Sequence, residues 1–200
     1  TFFLAEPDVV RSFLSQPGVT SIGEGLDGIY VRGSQADANL LLFDEMPIFS
    51  PSHMFGFYPA LNKQMIAESH TYRGLMPSRY GGRTGSVIDV IGKKGNLKTL
   101  SGTGTVGLFS TGLLLEGPIK KDQTSFLAAG RISYNDWILR RVEDATVRNS
   151  NASFYDINGK ITHRFSQLSY LSINAYGSQD EFLLNSDSIY NWTNQAGSLL

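Results

Sequence analysis

The sequence predicts an α+β domain followed by the first antiparallel strands of a large transmembrane β-barrel, together a fragment of a longer chain. Residues 1–95 mix one helical pattern with short strands. From about residue 96 the helical period is lost, and segments of roughly ten residues alternate between apolar and polar side chains. Tight turns and a long polar loop connect these segments, as in outer-membrane barrels. We therefore predict a front domain over residues 1–95 and a barrel portion over residues 96–200.

The composition favours β structure and excludes several kinds of site. Charged residues make up 18% of the chain, below the roughly 25% of an ordinary soluble domain, and glycine occurs 21 times. The net charge of −1 gives no electrostatic footprint for nucleic acid. The absence of cysteine excludes disulfides and thiolate metal sites. The sequence has no run of 18 apolar residues, so it predicts no transmembrane helix.

Residues Leu4–Gln16 predict the one helix of the front domain. Val10, Phe13 and Leu14 follow the i, i+3, i+4 spacing of an apolar helix face. Pro17-Gly18 ends the pattern, because proline cannot continue a helix and glycine adopts the left-handed conformation that often follows a last turn. We expect a core helix without chemistry of its own.

Short strands follow the helix. Ile29–Gly33 predicts one strand, and Leu40–Phe43 predicts a buried strand that ends at Asp44-Glu45. Met46–Ile48 is expected to leave the sheet, because Pro47 lacks the N–H group that a ladder needs. The other predicted elements are a helical turn, Pro59–Ile66, and a strand, Glu68–Tyr72.

The segment Phe49–Tyr58 predicts a loop that is dense in aromatic side chains. Such density indicates either a contact surface or a local hydrophobic cluster, and the sequence leaves both open. A metal site is not predicted here, because His53 has no second ligand at a useful spacing. The candidate contact residues are His53, Met54, Phe55, Phe57 and Tyr58.

A glycine-dense loop over residues 76–85 carries two arginines, Arg79 and Arg83. Glycine lets a loop approach another backbone closely, and a guanidinium group offers a planar fork to carboxylates. The alternative is an ordinary surface hairpin with solvated arginines. The apolar run Val87–Ile91 after the loop predicts a strand interrupted by Asp89.

The barrel portion predicts five strands. Their length of about ten residues suits tilted membrane strands better than the five or six residues common in soluble sheets. Five strands cannot close in a bilayer, because two edges would leave backbone groups unpaired in hydrocarbon. Ser178–Leu200 is expected to form a long external loop and the start of a sixth strand. The five strands are Leu100–Leu108, Phe109–Gly117, Thr124–Tyr134, Phe154–Ser166 and Leu168–Gly177.

Alternation is clearest in residues 155–165. Tyr155, Ile157 and Ile161 share an apolar face, whereas the other parity carries charges and amides. A soluble antiparallel sheet also alternates, with its apolar face inward. Strand lengths and connections favour the opposite arrangement, with the apolar face towards lipid. The charged residues expected to face inward are Arg131, Asp156, Lys160 and Arg164.

Several short motifs occur in a fixed order over residues 4–95: Gln16-Pro17-Gly18-Val19, Ile29-Tyr30-Val31-Arg32-Gly33, Asn39–Asp44, Tyr72-Arg73-Gly74, Ser78–Arg83 and Ser86–Val90. In this order they resemble the plug domain of TonB-dependent outer-membrane receptors, and Leu115–Ile119 is similar to the first barrel strands of that family. Leu4–Val9 and Ser52–Phe57 resemble the subgroup common in Bacteroidetes. The family usually has Asp-Gly where this chain has Asp44-Glu45, so the turn there is expected to differ.

The resemblance implies ligand uptake across the outer membrane through a barrel of about 22 strands, whose lumen the plug fills. Plug and wall would be held together by charged contacts that are specific yet breakable. The alternative is that the arginines pair inside the plug, with Asp44 or Asp89. The residues predicted to form the plug–barrel lock are Arg32, Arg79, Arg83, Asp44 and Arg131.

The resemblance also implies partners and a location. The partners are the TonB–ExbB–ExbD energy-transducing complex, outer-membrane lipids, a surface lipoprotein, and a small-molecule, glycan or peptide ligand. The location is the outer membrane of a Gram-negative cell, as a multi-pass β-barrel. The loop Phe49–Tyr58 is placed at the extracellular apex as a ligand contact, and the alternative is that it packs on the barrel wall or on neighbouring plug loops.

Two other function classes remain open from the sequence. One is a receptor-like barrel that serves as a structural or docking component of an outer-membrane complex without active transport. The other is a soluble β-rich binding module, which predicts extraction without detergent and against which the lipid-facing parity of Tyr155–Phe165 argues. An enzyme is not predicted, and neither is a cofactor or metal, because no nucleophile–His–acid set, phosphate cradle or metal-ligand spacing occurs.

Overall fold

The computed structural model describes residues 9–21, 29–54, 56, 58–134, 141, 150–184 and 188–200. The chain divides into two units, residues 1–93 with Leu200, and residues 94–199. The two units share no sheet among the described strands. No helix in the described ranges is both long and apolar enough to cross a membrane.

In its described ranges, the first unit combines one short helix with eight short strands in three small sheets. Strands β1 and β2 pair with each other, as do β5 and β6, and the largest sheet has the order β4-β3-β8-β7. The elements are α1 (Val9–Leu14), β1 (Val19–Ser21), β2 (Ile29–Val31), a 3₁₀ turn (Ala36–Ala38), β3 (Asn39–Phe43), β4 (Met46–Pro47), β5 (Ser52–His53), β6 (Tyr58–Pro59), a second 3₁₀ turn (Lys63–Met65), β7 (Ile66–Arg73) and β8 (Ser86–Gly92).

Helix α1 forms the central part of the helix predicted over Leu4–Gln16, whose residues 4–8 lie outside the described ranges. Phe13 on its apolar face is fully buried. The helix ends two residues earlier than expected. The N–H of Gln16 donates to the carbonyl of Phe13 at 3.1 Å, an i, i+3 bond that tightens the last turn before Pro17.

The largest sheet is mixed, because β3 and β8 run parallel while their outer neighbours are antiparallel. Parallel strands in the middle of a sheet are covered on both faces, which explains the apolar runs in both. Val87 and Val90 of β8 are fully buried, and Asp89 between them is only 4% exposed. This sheet therefore holds a carboxylate inside the core of the first unit.

The expectation that Met46–Ile48 leaves the sheet is wrong. Met46 and Pro47 form β4, which pairs with β3 through a two-residue turn. Phe43 and Met46 close the turn, so the next pair, Leu42 with Pro47, lies at a position that needs no ladder hydrogen bond. Proline is tolerated there because β4 is the edge strand of the sheet.

The turn between β3 and β4 has Asp44-Glu45 in place of Asp-Gly, yet its backbone adopts the conformation that Asp-Gly favours, so the expected difference is confined to the second residue. Asp44 has φ of 48° and Glu45 has φ of 62°. Two residues with positive φ make a type I′ turn, which matches the twist of a hairpin and favours glycine at its second position. The backbone of Glu45 is therefore strained, because positive φ is unfavourable for a residue with a Cβ atom.

Replacing Glu45 with glycine is expected to stabilise the first unit by about 0.5–1 kcal/mol, because glycine adopts positive φ without the steric cost of a Cβ atom. The matched control is Glu45→Ala, which removes the charge but keeps the Cβ atom. Chemical denaturation of the full-length protein measures the change. Equal stability of the two variants would mean that the backbone strain is not significant.

The second unit is one six-stranded antiparallel sheet in which each strand pairs with the next along the chain. Strands β9 and β14 are its two edges among the described strands. From β10 onward the strands have 10 to 15 residues, as expected for tilted membrane strands. The strands are β9 (Ser101–Val106), β10 (Ser110–Lys120), β11 (Thr124–Ser133), β12 (Asn151–Arg164), β13 (Tyr170–Leu184) and β14 (Ser188–Leu199).

The expectation of a long external loop over Ser178–Leu200 is wrong. Strand β13 continues to Leu184, and β14 pairs with it from Ser188 to Leu199. The segment looks like a loop because it is rich in serine, asparagine and acidic residues. In this sheet, however, polar side chains mark the buried face, and Ser178 and Asp180 are 2% and 1% exposed.

Burial in the second unit is inverted relative to a soluble sheet. Arg131, Asp156 and Lys160 are buried, whereas Ile157 is 63% exposed and Ile161 is 47% exposed. The outward parity runs from position 155 in β12 to position 165, the residue after β12, which corresponds to about 33 Å along a strand. A tilt near 45° reduces this to roughly 23 Å, close to the apolar band of an outer-membrane barrel.

Candidate functional sites

Three of the sequence motifs meet around Arg32 in the first unit. Arg32 follows β2 with φ of 50°, and its N–H donates to the carbonyl of Gly18 at 2.8 Å. A Cβ atom on Gly74 would lie 2.7 Å from Nη1 of Arg32, so the guanidinium rests directly against that glycine. Arg73 Nη1 donates to the carbonyl of Pro17 at 2.5 Å. The glycines of the motifs thus make room for one arginine side chain.

The glycine-dense loop places Arg79 and Tyr80 over Asp89 of β8. The Tyr80 hydroxyl donates to Oδ2 of Asp89 at 2.6 Å, and Nη2 of Arg79 lies 3.2 Å from the same oxygen. Arg79 also donates to the Tyr80 hydroxyl and lies 4.6 Å above its ring. Tyr72 of β7 packs against Tyr80 with ring centroids 5.3 Å apart. We call Arg79, Tyr80 and Asp89 the loop triad.

Arg79 pairs with Asp89 inside the first unit. This is one of the two alternatives that the sequence leaves open for the arginines, and the other is pairing with the barrel wall. The pairing does not use the whole guanidinium. Its hydrogen bonds to Tyr80 and Asp89 both use Nη2, and the side chain of Arg79 is 59% exposed. The hydrogen bond to Tyr80 raises the pKa of Arg79, and a guanidinium group is in any case a permanent cation in proteins.

Ionisation of Tyr80 makes the stability of the first unit depend on pH in the alkaline range. Burial, followed by the hydrogen bond to Asp89, raises the pKa of Tyr80 to about 12 from an ordinary value of 10.0. A raised folded-state pKa means that the stabilisation is complete below pH 10 and is lost as the pH rises through 12. We therefore expect Tyr80→Phe to flatten the loss of stability between pH 10 and 12, measured by urea unfolding of the full-length protein at a series of pH values. Tyr30→Phe is the control, and an unchanged slope in Tyr80→Phe would contradict the expectation.

A groove of about 440 Å³ lies beside the loop triad. Residues of β3 and β4 and residues of the glycine-dense loop both contribute to its lining. Glu45, at the strained turn, is an exposed member of this lining. The groove is lined by Leu40, Leu42, Glu45, Pro47, Arg79, Tyr80 and Gly81.

The other two predicted lock residues of the first unit have different surroundings. Asp44 is 3% exposed, and its Oδ1 accepts the N–H of Gly92 at 3.0 Å. This bond ties the β3–β4 turn to the end of β8. Arg83 is exposed and has no hydrogen bond or ion pair with any residue in the described ranges. The lock role of both residues stays a prediction.

The predicted contact loop is only in part a loop, because β5 and β6 form a two-residue ladder within it. His53 is 0% exposed and Tyr58 is 5% exposed, so a ligand could not reach either side chain without a rearrangement. Met54 is half-buried and has φ of 53°. Phe55 and Phe57 lie outside the described residues. Burial of the two described aromatic rings favours packing, and ligand contact stays a prediction.

The second unit buries an ion pair between Arg131 and Asp156, which are direct partners across β11 and β12. Nε of Arg131 donates to Oδ2 of Asp156 at 2.8 Å, and Nη2 lies 2.6 Å from the same oxygen. The two side chains are 2% and 0% exposed. Lys160 shares the buried face, whereas Arg164 at the end of β12 is exposed and donates to the carbonyl of Asp122 at 2.7 Å.

Sequence reasoning identified the arginines but missed Tyr80, which supplies the shortest hydrogen bond to Asp89. A signal was available, because an acid inside an apolar strand needs a donor and Tyr80 follows Arg79 directly. It also missed Asn39, whose Nδ2 donates to the carbonyl of Ile29 at 2.6 Å and whose Oδ1 accepts the Ser86 hydroxyl at 2.7 Å. In the described ranges, no group of three or more His, Asp and Glu side chains could hold a metal ion.

No protein-family model matches the sequence, and no curated protein matches it. Solved structures do share its fold. The siderophore receptor PirA from Acinetobacter baumannii superposes with a TM-score of 0.62 at 20% identity, over 90% of this chain and 30% of that chain. The ferric enterobactin receptor PfeA from Pseudomonas aeruginosa, as a variant in complex with enterobactin, gives 0.58 at 18% identity, over 88% and 31%.

These comparisons confirm the predicted fold class, an α+β domain followed by the first antiparallel strands of a large β-barrel. A second PfeA structure agrees, with a TM-score of 0.59 at 17% identity over 90% of this chain and 32% of that chain. The chain therefore spans about 30% of the length of the receptors that it matches. The matched structures are receptors, and none of their names describes an enzyme.

Proposed function

We propose that this chain is the plug domain and the first barrel strands of an outer-membrane receptor that takes up a ligand with energy from the TonB–ExbB–ExbD complex. One observation carries the proposal. An α+β unit bearing the ordered glycine–arginine motifs precedes a six-stranded sheet whose charged face is buried and whose apolar face is exposed. A sheet of that kind suits a lipid environment outside and a polar interior inside.

The proposed ligand class is one that a wide, plugged barrel can pass. Ferric chelates, corrinoids, glycans and peptides all remain candidates. Ferric siderophores are the first to test, because the solved structures that share the fold are siderophore receptors. The Bacteroidetes-like subgroup and a surface lipoprotein partner belong to the same proposal.

Uptake by the full-length protein tests the proposal. Cells that make the protein are fractionated to locate it. Accumulation of a labelled ferric siderophore, corrinoid, glycan or peptide is then compared between cells that lack the gene and complemented cells. Receptor function predicts outer-membrane fractionation and an accumulation that stops when a protonophore collapses the proton gradient. A protein that fractionates with the outer membrane but supports no energy-dependent uptake of any class would favour the scaffold alternative.

We propose that Arg32, Arg79 and Arg83 hold the plug to carboxylates on the barrel wall. Arg83 supports this role because it is exposed and has no partner in the described ranges. Arg79 supports it because its hydrogen bonds to Tyr80 and Asp89 use only Nη2, and neither Nε nor Nη1 takes part in them. The other two residues of the proposed lock, Asp44 and Arg131, make contacts within their own units.

The double variant Arg79→Ala/Arg83→Ala is expected to loosen the plug, because it removes two guanidinium forks at once. Limited proteolysis of whole cells should cut the plug several times faster, and uptake should fall by a similar factor. Lys63→Ala, which removes an exposed cation from the same unit, is the matched control. Unchanged protease resistance and uptake in the double variant would contradict the lock assignment.

A further inference from the structure

The short-turn end of the second unit gathers three separate segments of the chain. The turn between β10 and β11 contacts the segment before β9, because the N–H of Asp122 donates to the carbonyl of Leu97 at 3.0 Å. The end of β12 joins the same turn, because Nη2 of Arg164 donates to the carbonyl of Asp122 at 2.7 Å. We call this end of the sheet the short-turn rim.

The short-turn rim carries a strong excess of positive charge. Five exposed cations and one exposed acid, Asp122, lie on its segments in the described ranges. Nζ of Lys94 lies 3.4 Å from the ring centroid of Tyr170, which holds that ammonium group at the start of β13. The cations are Lys94, Lys98, Lys120, Lys121 and Arg164.

Large apolar side chains are also exposed at this end of the sheet. Ile119, one residue before Lys120, is 60% exposed, and Phe165, one residue after Arg164, is 66% exposed. Leu168 in the next turn is 96% exposed. An end of a sheet that exposes both cations and large apolar groups matches a membrane interface, where apolar stems and rings contact acyl chains and charged ends reach the headgroups.

We propose that the short-turn rim binds the phosphate headgroups of anionic glycerophospholipids, such as phosphatidylglycerol, in the leaflet on that side of the membrane. The inference rests on the proposed placement of the sheet in the outer membrane. Short turns of outer-membrane barrels face the periplasm, so the lipid is a phospholipid of the inner leaflet and not lipopolysaccharide. The exposed apolar side chains at the same end of the sheet distinguish the rim from a basic patch for a soluble polyanion.

Native mass spectrometry of the detergent-purified full-length protein tests the proposal. The protein is mixed with equal amounts of phosphatidylglycerol, phosphatidylethanolamine and lipid A, and the bound fraction of each is measured. Phosphatidylglycerol is expected to be retained preferentially. The variant Lys120→Gln/Lys121→Gln is expected to lower its retention about tenfold, because each cation near an anionic headgroup contributes substantially to its binding.

Two matched variants control the experiment. Lys120→Arg/Lys121→Arg keeps both charges and should retain the lipid, and Lys63→Gln removes an exposed cation from the first unit and should change nothing. Equal retention of all three lipids, preference for lipid A, or a Gln variant that binds like the wild type would overturn the rim proposal while leaving the receptor proposal intact. A protein that does not fractionate with the outer membrane would overturn both.

Discussion

Replacing Arg131 with methionine should lower the free energy of unfolding by about 3–5 kcal/mol, the largest effect we expect from a single side chain. The guanidinium of Arg131 reaches one carboxylate oxygen of Asp156 with two nitrogens, at 2.8 Å and 2.6 Å. Both side chains are almost completely buried. The variant leaves the Asp156 carboxylate buried without its guanidinium, and desolvation of a charge that has lost its partner is expensive.

A double-mutant cycle separates the cost of the orphaned charge from the loss of packing. Arg131→Met and Asp156→Leu should each destabilise strongly, and the double variant should recover much of the loss, because apolar pairs of similar volume often replace buried ion pairs well. Thermal unfolding of the detergent-solubilised full-length protein, followed by heat-dependent electrophoretic mobility, gives the ranking. Additive effects in the double variant would mean that the two side chains do not act as a pair.

The buried ion pair also bears on how the second unit is specified. An apolar contact at this position would stabilise several strand registers almost equally. Arg131 and Asp156 meet only when β11 and β12 pair in the observed register, because a shift of one strand by one residue would move only one of the two side chains to the exposed apolar face. The pair therefore penalises slipped registers, in a sheet whose many glycines specify register weakly.

Alternation of polarity predicted most of the second unit, because its period follows directly from the geometry of a strand. At β14 it predicted only the start of a sixth strand, and it missed the rest of that strand for a physical reason. Residues 188–199 are polar on average, and a polar segment is usually a loop in a soluble protein. In this sheet the polar side chains face the interior, so a polar segment can be a strand. The same inversion hid the second half of β13, where Asp180 is 1% exposed.

The first unit was harder to predict, because its main contacts are distant in sequence. The parallel pairing of β3 with β8 brings Asn39 next to Ser86, and no local pattern specifies that partner. Pro47 was assigned to a loop because a strand was assumed to need every N–H group, whereas at this edge position the register makes the N–H unnecessary. The motifs predicted that Arg79 lies at a site, but its contact with Tyr80 and Asp89 depends on how the loop folds over the sheet.

The second large effect is expected at Gly92, where the β3–β4 turn meets the end of β8. A Cβ atom added there would lie 2.5 Å from Oδ2 of Asp44 and 3.1 Å from the ring of Phe43, and both side chains are buried. Gly92→Ala must displace the Asp44 carboxylate, which accepts the N–H of Gly92 at 3.0 Å. Overpacking combined with a weakened hydrogen bond to a buried charge should cost about 3 kcal/mol.

Hydrogen exchange of the full-length protein measures this effect locally. A loss of about 3 kcal/mol should accelerate exchange of amides in β3 and β8 by roughly a hundredfold, provided that they exchange through opening of this sheet. Gly81→Ala is the matched control in the same unit, because a Cβ atom there meets nothing within 4 Å. If amides in β3 and β8 exchange at the same rate in Gly92→Ala as in Gly81→Ala, the turn can shift away from β8 at little cost. The hydrogen bond from the N–H of Gly92 to Asp44 would then not hold the two strands together.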